Sequence, residues 1–409
     1  MKLLTVDTIE EARQKIAGVT AHWKLPVEQL DVQKTVGRIL GDDIISQEDI
    51  PGFRRSTVDG YAVISAETAG AGESMPVFLK LVGSVEMGQV AAFRLGSGEC
   101  AYVPTGGMVP DGADAMVMIE HSEAFGGEIA LYESAAFGSG VAQIGEDASK
   151  GALLLKRGTM IHSQQVGALA AAGITQVPVC APLRLSIISS GDELVPPASR
   201  LKLGEMRDVN SFALEALAAE SGYNIVSTQT LPDDEAQLEE AVRSAMQTSD
   251  VVAISGGSSQ GAKDFTGQIF SRLAQPGVFT WGLAVKPGKP AILAYDKASD
   301  SLLVGLPGHP VSALIVFRAL LSWLARRLGG EKEAFPIPAK IARNIAGAPG
   351  RTTYQPVALK PCGMGYLAEP VFGKAGMIST LTASDGYIVI DLNKEGLKEG
   401  EEVQVHLWN

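Results

Sequence analysis

The chain has 409 residues, more than one hydrophobic core ordinarily serves, which implies two to four domains. A composition of 46% hydrophobic and 20% charged residues describes a globular protein with ample core material. A formal net charge of -12 excludes the broad basic face that phosphate backbones require, so nucleic acid is not an expected partner.

The opening MKLLTVDTIEEARQ turns acidic too early for a signal peptide. Thr8 reads as an N-cap with Glu11 three places on, followed by Ala12, Ile16 and Val19 at helical spacing. A second, shorter element ends near Gly37. Residues 49–143 change character: β-rich runs such as Val77–Val82 and Cys100–Val103, punctuated by glycine, predict a compact β domain. Residues 144–180 turn helical again, with Gln164–Ala172 closed by Gly173. The β domain is therefore expected as an insertion into an N-terminal helical and extended domain made of residues 1–48 and 144–180.

Residues 181–331 alternate strand and helix. Leu185–Ser189 leads into Ser190-Gly191-Asp192-Glu193, and a helix follows over Phe212–Ser221. Asn224–Thr228 leads into Pro232-Asp233-Asp234, where one aspartate caps the helix Ala236–Met246. Val251–Ser255 opens into Gly256-Gly257-Ser258-Ser259, with Asp264 beyond. Val278–Val285 leads into Lys286-Pro287-Gly288-Lys289, and Leu302–Leu306 into Pro307-Gly308-His309-Pro310. This pattern predicts a doubly wound, mostly parallel α/β sheet. Val311 to Leu328 is the most apolar stretch, but Arg318, Arg326 and Arg327 make it a buried helix with a basic end, so no membrane association is expected. Residues 332–409 show short strands and turns, predicting a small C-terminal β-barrel domain. Cys100, Cys180 and Cys362 lack metal-ligand spacing and read as free thiols of a cytoplasmic protein.

In such a sheet the ligand sits beyond the carboxyl ends of the strands. The serine and glycine loop Ser255–Ser259 offers neutral donors, and Lys286 and Lys289 flank a Pro-Gly turn that can aim two ammonium groups at one anion. Glu193, Asp233, Asp234 and Asp264 are acceptors, and carboxylates beside phosphates commonly hold Mg²⁺. Together these point to a phosphorylated ligand with Mg²⁺. Simple turn, cap and surface-charge roles compete at each position, and His309 between two prolines has neither a metal cluster nor a triad around it.

The set SGDEL at 190–194, SGGSSQGAKDF at 255–265, LAVKPGKP at 283–290 and GLPGHPVSA at 305–313 resembles the molybdenum insertase family, which includes bacterial MoeA and the carboxyl-terminal domain of gephyrin. IPGFRRSTVDGYAV at 50–63, PTGGMVPDGADAMVM at 104–118 and GEDASKG at 145–151 extend the resemblance over almost the whole chain. It implies an elongated homodimer that uses molybdate with Mg²⁺ to convert adenylated molybdopterin into molybdenum cofactor, releasing AMP. The adenylyltransferase and acceptor molybdoenzymes would be further partners. The implied catalytic set is Asp59, Thr105, Glu193, Asp264, Lys286 and Lys289. Ser255, Gly256, Gly257, Ser258, Ser259, Asp147, Asp233, Pro307, Gly308 and His309 would hold the pterin nucleotide, and Glu193, Asp233, Asp234 and Asp264 the metal.

The sequence also departs from that family at ligand-facing motifs. Arg54 and Arg55 stand where it usually has Asp-Asn, and Val141-Ala142-Gln143 where arginines precede Gly-Glu-Asp. His309 replaces an asparagine, and Lys374-Ala375, ahead of Ser379 and Thr380, replaces Gly-Ser. The expectation is that Arg54 or Arg55 restores positive charge lost near residue 142. The alternatives are a diverged, non-catalytic molybdopterin binder and an insertase for another oxyanion such as tungstate.

Overall fold

A computed structural model describes residues 6–256, 265–331 and 335–408. Its centre is a six-stranded sheet in the order 224–231, 184–190, 251–255, 301–306, 292–296, 276–281. The first four strands run parallel; the last two are joined antiparallel, 292–296 to 301–306 and 276–281 to 292–296. The central strands are buried on both faces, and alternation decides which side chain goes where. Val251 and Ala253 enter one core and Val252 and Ile254 the other.

Six helices matter for the site: α1 (Ile9–Val19), α2 (Ser163–Ala171), α3 (Asn210–Glu220), α4 (Glu235–Met246), α5 (Phe265–Leu273) and α6 (Pro310–Phe317). Leu214 and Leu217 of α3 join Val316 and Phe317 of α6 on one face of the sheet. Leu238 and Val242 of α4 join Ile269 and Phe270 of α5 on the other. The Thr8–Glu11 capping box starts α1 as expected. Its apolar stripe of Ile9, Ala12 and Ile16, however, packs into the α3–α6 core, so this helix lies on the α/β body.

Residues on either side of the small β sheet return to one another. Val27–Asp31 pairs with Gln176–Cys180, and Ile44–Ile45 with Leu153–Leu155. Only α2 is α-helical within residues 144–180; the rest is turns and short strands. Between them a six-stranded sheet is built from residues 60–131. The C-terminal residues form a closed barrel in which Thr352–Cys362 pairs with both Gly365–Pro370 and Gly386–Ile390.

One expected strand is corrected. Val278–Val285 is not continuous: Pro276–Trp281 ends at Gly282, and Val285–Lys286 forms a separate strand paired in parallel with Thr352–Thr353 of the barrel. Gly282 and Leu283 still donate to the Ala291 and Lys289 carbonyls, at 2.7 and 2.9 Å, while the segment's other backbone groups find partners elsewhere. Asp7 donates to the Gly282 carbonyl at 3.1 Å and accepts from Ala284 N–H at 2.7 Å.

Phe317 is fully buried and meets the Tyr223 ring edge-on at 5.9 Å. Phe317→Ala should cost about 3–5 kcal/mol through lost contacts and the cavity left behind. Urea denaturation measures this, and a loss well under 1 kcal/mol would contradict the packing described.

Candidate active site

The carboxyl ends of the parallel strands meet at Gly256. Its φ of +107° is open to glycine, and a Cβ there would sit 2.1 Å from the Ser190 carbonyl oxygen. Gly308 approaches from the other side: a Cβ on it would lie 3.6 Å from the Gly256 Cα. Three turns therefore touch at one point, those after Ser190, Ser255 and Leu306.

Of the two aspartates at 233 and 234, Asp234 caps α4 by accepting from Gln237 N–H at 2.9 Å. Asp233 turns to the crevice instead, where its carboxylate accepts from the Ser190 hydroxyl. Its own N–H donates to the Asp192 carboxylate at 3.0 Å. Glu193 folds its carboxylate back over Gly191, within 3.0 Å of where a Cβ on that glycine would be. Ser255, expected as a ligand donor, is 1% exposed and already engaged: its hydroxyl accepts from Asn210 at 2.6 Å and faces the Pro307 carbonyl at 3.4 Å. It ties the crevice together from below. Gly257, Ser258, Ser259 and Asp264 lie outside the described residues.

Among the described residues no three carboxylate, imidazole or thiol groups gather around one point, so Glu193, Asp233 and Asp234 do not make a metal cage. Mg²⁺ at nucleotide sites uses one or two protein carboxylates with substrate phosphates and waters. Asp233 and Glu193, on adjacent turns, fit that smaller role.

The lysines separate. Both are exposed, but Lys286 lines a cavity of about 510 Å³ between the α/β sheet and the barrel, and Lys289 is not part of its wall. The remaining polar wall comes from the C-terminal domain: Thr353, Tyr354, Gln355, Lys374 and Thr380. Among the described residues no carboxylate lines this cavity, in a protein of net charge -12. Such a donor set suits an anion. His309 caps α6 without a side-chain bond, and its ring lies 3.3 Å from where a Cβ on Gly376 would be. Val311 N–H donates to the Ala375 carbonyl at 3.1 Å, fixing the barrel over the Pro307–His309 turn.

Asp59 and Thr105 lie together beside the small β sheet, where the Asp59 carboxylate accepts from Thr105 N–H at 2.8 Å. Asp147 donates its N–H to the Ile50 carbonyl at 2.9 Å. Ile50, Arg55 and Gly106 all line an open cleft of about 450 Å³. The arginine expectation divides here. Arg54 is committed to its own domain, donating to the Ala113 carbonyl at 2.7 Å and the Pro110 carbonyl at 3.2 Å, beside the Asp111 carboxylate. Arg55 is exposed and stands directly across from Ala142 in an antiparallel pair, so the two share one face.

Sequence reasoning named Lys374, Ala375 and Thr380 of the C-terminal wall but missed Thr353, Tyr354 and Gln355, and it missed the Asp208–Asn210 stretch beneath the crevice. Neither missed part carries a local signature. The first depends on pairing of residues 285–286 with 352–353, and the second reads simply as the start of a helix.

Comparison with known proteins covers nearly all of the chain. The profile described as MoeA N-terminal region (domain I and II) matches residues 7–173. The one described as "Probable molybdopterin binding domain" matches 186–326, and that of MoeA C-terminal region (domain IV) matches 338–408. A molybdopterin molybdenumtransferase of Haemophilus influenzae is 31% identical, with 98% of each chain covered. One of Bacillus subtilis is 29% identical, covering 93% of this chain and 89% of its own. A crystal structure of a molybdopterin biosynthesis moeA protein from Pyrococcus horikoshii superposes with a TM-score of 0.85 at 28% identity, covering 99% of this chain and 100% of its own.

Gly256→Ala should displace the Ser190–Glu193 turn and lower the thermal midpoint, because both the backbone angle and the Ser190 carbonyl oppose a side chain there. Calorimetry checks it; an unchanged midpoint would contradict the crevice geometry.

Proposed function

Because this chain belongs to the MoeA family, we propose that it is a molybdopterin molybdenumtransferase, inserting molybdenum from molybdate into adenylated molybdopterin with release of AMP. The observation that carries the reading is the Lys286 cavity, walled by donors and cations from two domains. The pterin nucleotide occupies the crevice over Gly256, and the molybdate dianion the cavity at Lys286. Cleavage of the pyrophosphate bridge leaves negative charge on the departing phosphate oxygens. Lys286 and Lys289 neutralise charge of that kind. Mg²⁺ would be held by Asp233 and Glu193 with Asp264 and would supply further neutralisation of the phosphates.

Asp59, Thr105, Asp147 and Arg55 serve the same reaction from the N-terminal half, as a second wall provided by a partner subunit of a homodimer. Arg55 is the cation of that wall. An acidic protein repels a dianion overall, so it must present local positive charge where the oxyanion arrives.

Three measurements test this reading. Incubation with adenylated molybdopterin, Mg²⁺ and molybdate should release AMP in a molybdate-dependent way; binding without release would favour the non-catalytic alternative. Lys286→Ala should weaken molybdate use by about 1.5–3 kcal/mol, the range for a charged hydrogen bond; an unchanged molybdate requirement would return this lysine to the surface. Light scattering should give twice 42.8 kDa. A fully active monomer would rule out a shared site.

A further inference from the structure

The four parallel strands whose ends make the crevice are joined there by two residues that lie on none of them. Asp208 is 3% exposed, and four donors converge on its carboxylate. Ser189 Oγ reaches it at 3.2 Å, Thr230 Oγ1 at 2.7 Å, Ser211 Oγ at 2.6 Å and Ser211 N–H at 3.0 Å. Ser189 and Thr230 sit near the carboxyl ends of neighbouring strands, 184–190 and 224–231. A carboxylate this deep is tolerable only because its lone pairs are so fully met. Two residues on, Asn210 opens α3 and reaches the other two strands. Its Nδ2 donates to Ser255 Oγ at 2.6 Å and to the Gly308 carbonyl at 2.8 Å. Ser255 ends strand 251–255, and Gly308 belongs to the turn after 301–306.

We propose that Asn210, anchored by Asp208, is a positioning residue that sets the spacing of the turns holding the pterin nucleotide. The side-chain chemistry is specific. The Gly308 carbonyl can only accept, so the group facing it must donate. Ser255 Oγ takes the second amide hydrogen and remains free to donate its own proton toward the Pro307 carbonyl. An amide at 210 thus binds the Gly256 and Gly308 turns to each other through one planar group. An aspartate of the same shape would set a carboxylate against a carbonyl. The consequence is that the site's register is fixed from beneath, leaving the upper faces of the turns for the ligand. This inference rests on the crevice being the pterin nucleotide site.

The test uses Asn210→Ala, Asn210→Asp and Asp208→Asn in the full chain, read by calorimetric binding of molybdopterin, by steady-state AMP release and by thermal midpoint. Asn210 is partly exposed and lies at a helix start, so its variants should fold with midpoints close to that of the unsubstituted chain. Affinity for molybdopterin should fall about tenfold in Asn210→Ala, the scale of one to two neutral hydrogen bonds, and further in Asn210→Asp. KM for the adenylated substrate should rise while kcat changes less. Asp208→Asn should lose both stability and affinity. Unchanged affinity and KM in both Asn210 variants, with molybdopterin still bound by the unsubstituted chain, would overturn the positioning role alone. Failure of the unsubstituted chain to bind molybdopterin would overturn the crevice assignment and this inference together.

Discussion

The backbone hydrogen bonds of residues 282–286 hold the rest of the site in place. Covalently this segment belongs to the α/β domain. By pairing it belongs to two other parts of the molecule: Asp7 bonds it at Gly282 and Ala284, and Thr352–Thr353 at Val285–Lys286. Asp7 is itself gripped by the Thr280 hydroxyl at 2.5 Å and the Lys15 ammonium at 2.6 Å. A strand shared in this way cannot move without breaking ladders in two directions. That is why the backbone of Lys286 is held at the junction of two domains, with its side chain on the wall of the cavity there.

Electrostatics then follows from placement more than from composition. The chain is acidic as a whole, and many carboxylates are neutralised locally, as in the Arg272 pairs with Glu235 and Glu239. The Lys286 cavity differs because, among the described residues, no acidic side chain enters its wall. Exposed ion pairs contribute little to stability. A cation on the wall of a cavity has a larger effect on what can enter it.

Much of the fold was legible in the chain itself. Strand 251–255 is short, apolar and β-branched and proves buried on both faces, and Thr8 with Glu11 forms the expected capping box. The crevice at Gly256 followed from a strand running into glycines. The junctions were harder to read. Residues 278–285 look like one strand because both halves are apolar, and only the distant partners Asp7 and Thr352 show why the chain breaks at Gly282. Ser255 reads as a ligand donor from its loop, yet its burial and its bond to Asn210 are tertiary facts. Asp233 and Asp234 were equivalent as letters; only the start of α4 separates cap from crevice. Arg54 and Arg55 were likewise indistinguishable until the carbonyls of Pro110 and Ala113 claimed the first.

An oxyanion held where the α/β sheet and the barrel meet would lie against Lys286. Anomalous diffraction from a crystal soaked in molybdate tests this most directly. A molybdenum peak is expected inside the cavity, within hydrogen-bonding distance of Lys286 Nζ and facing the wall formed by Gln355 and Thr380. A molybdenum peak elsewhere on the molecule, with the cavity empty, would contradict it.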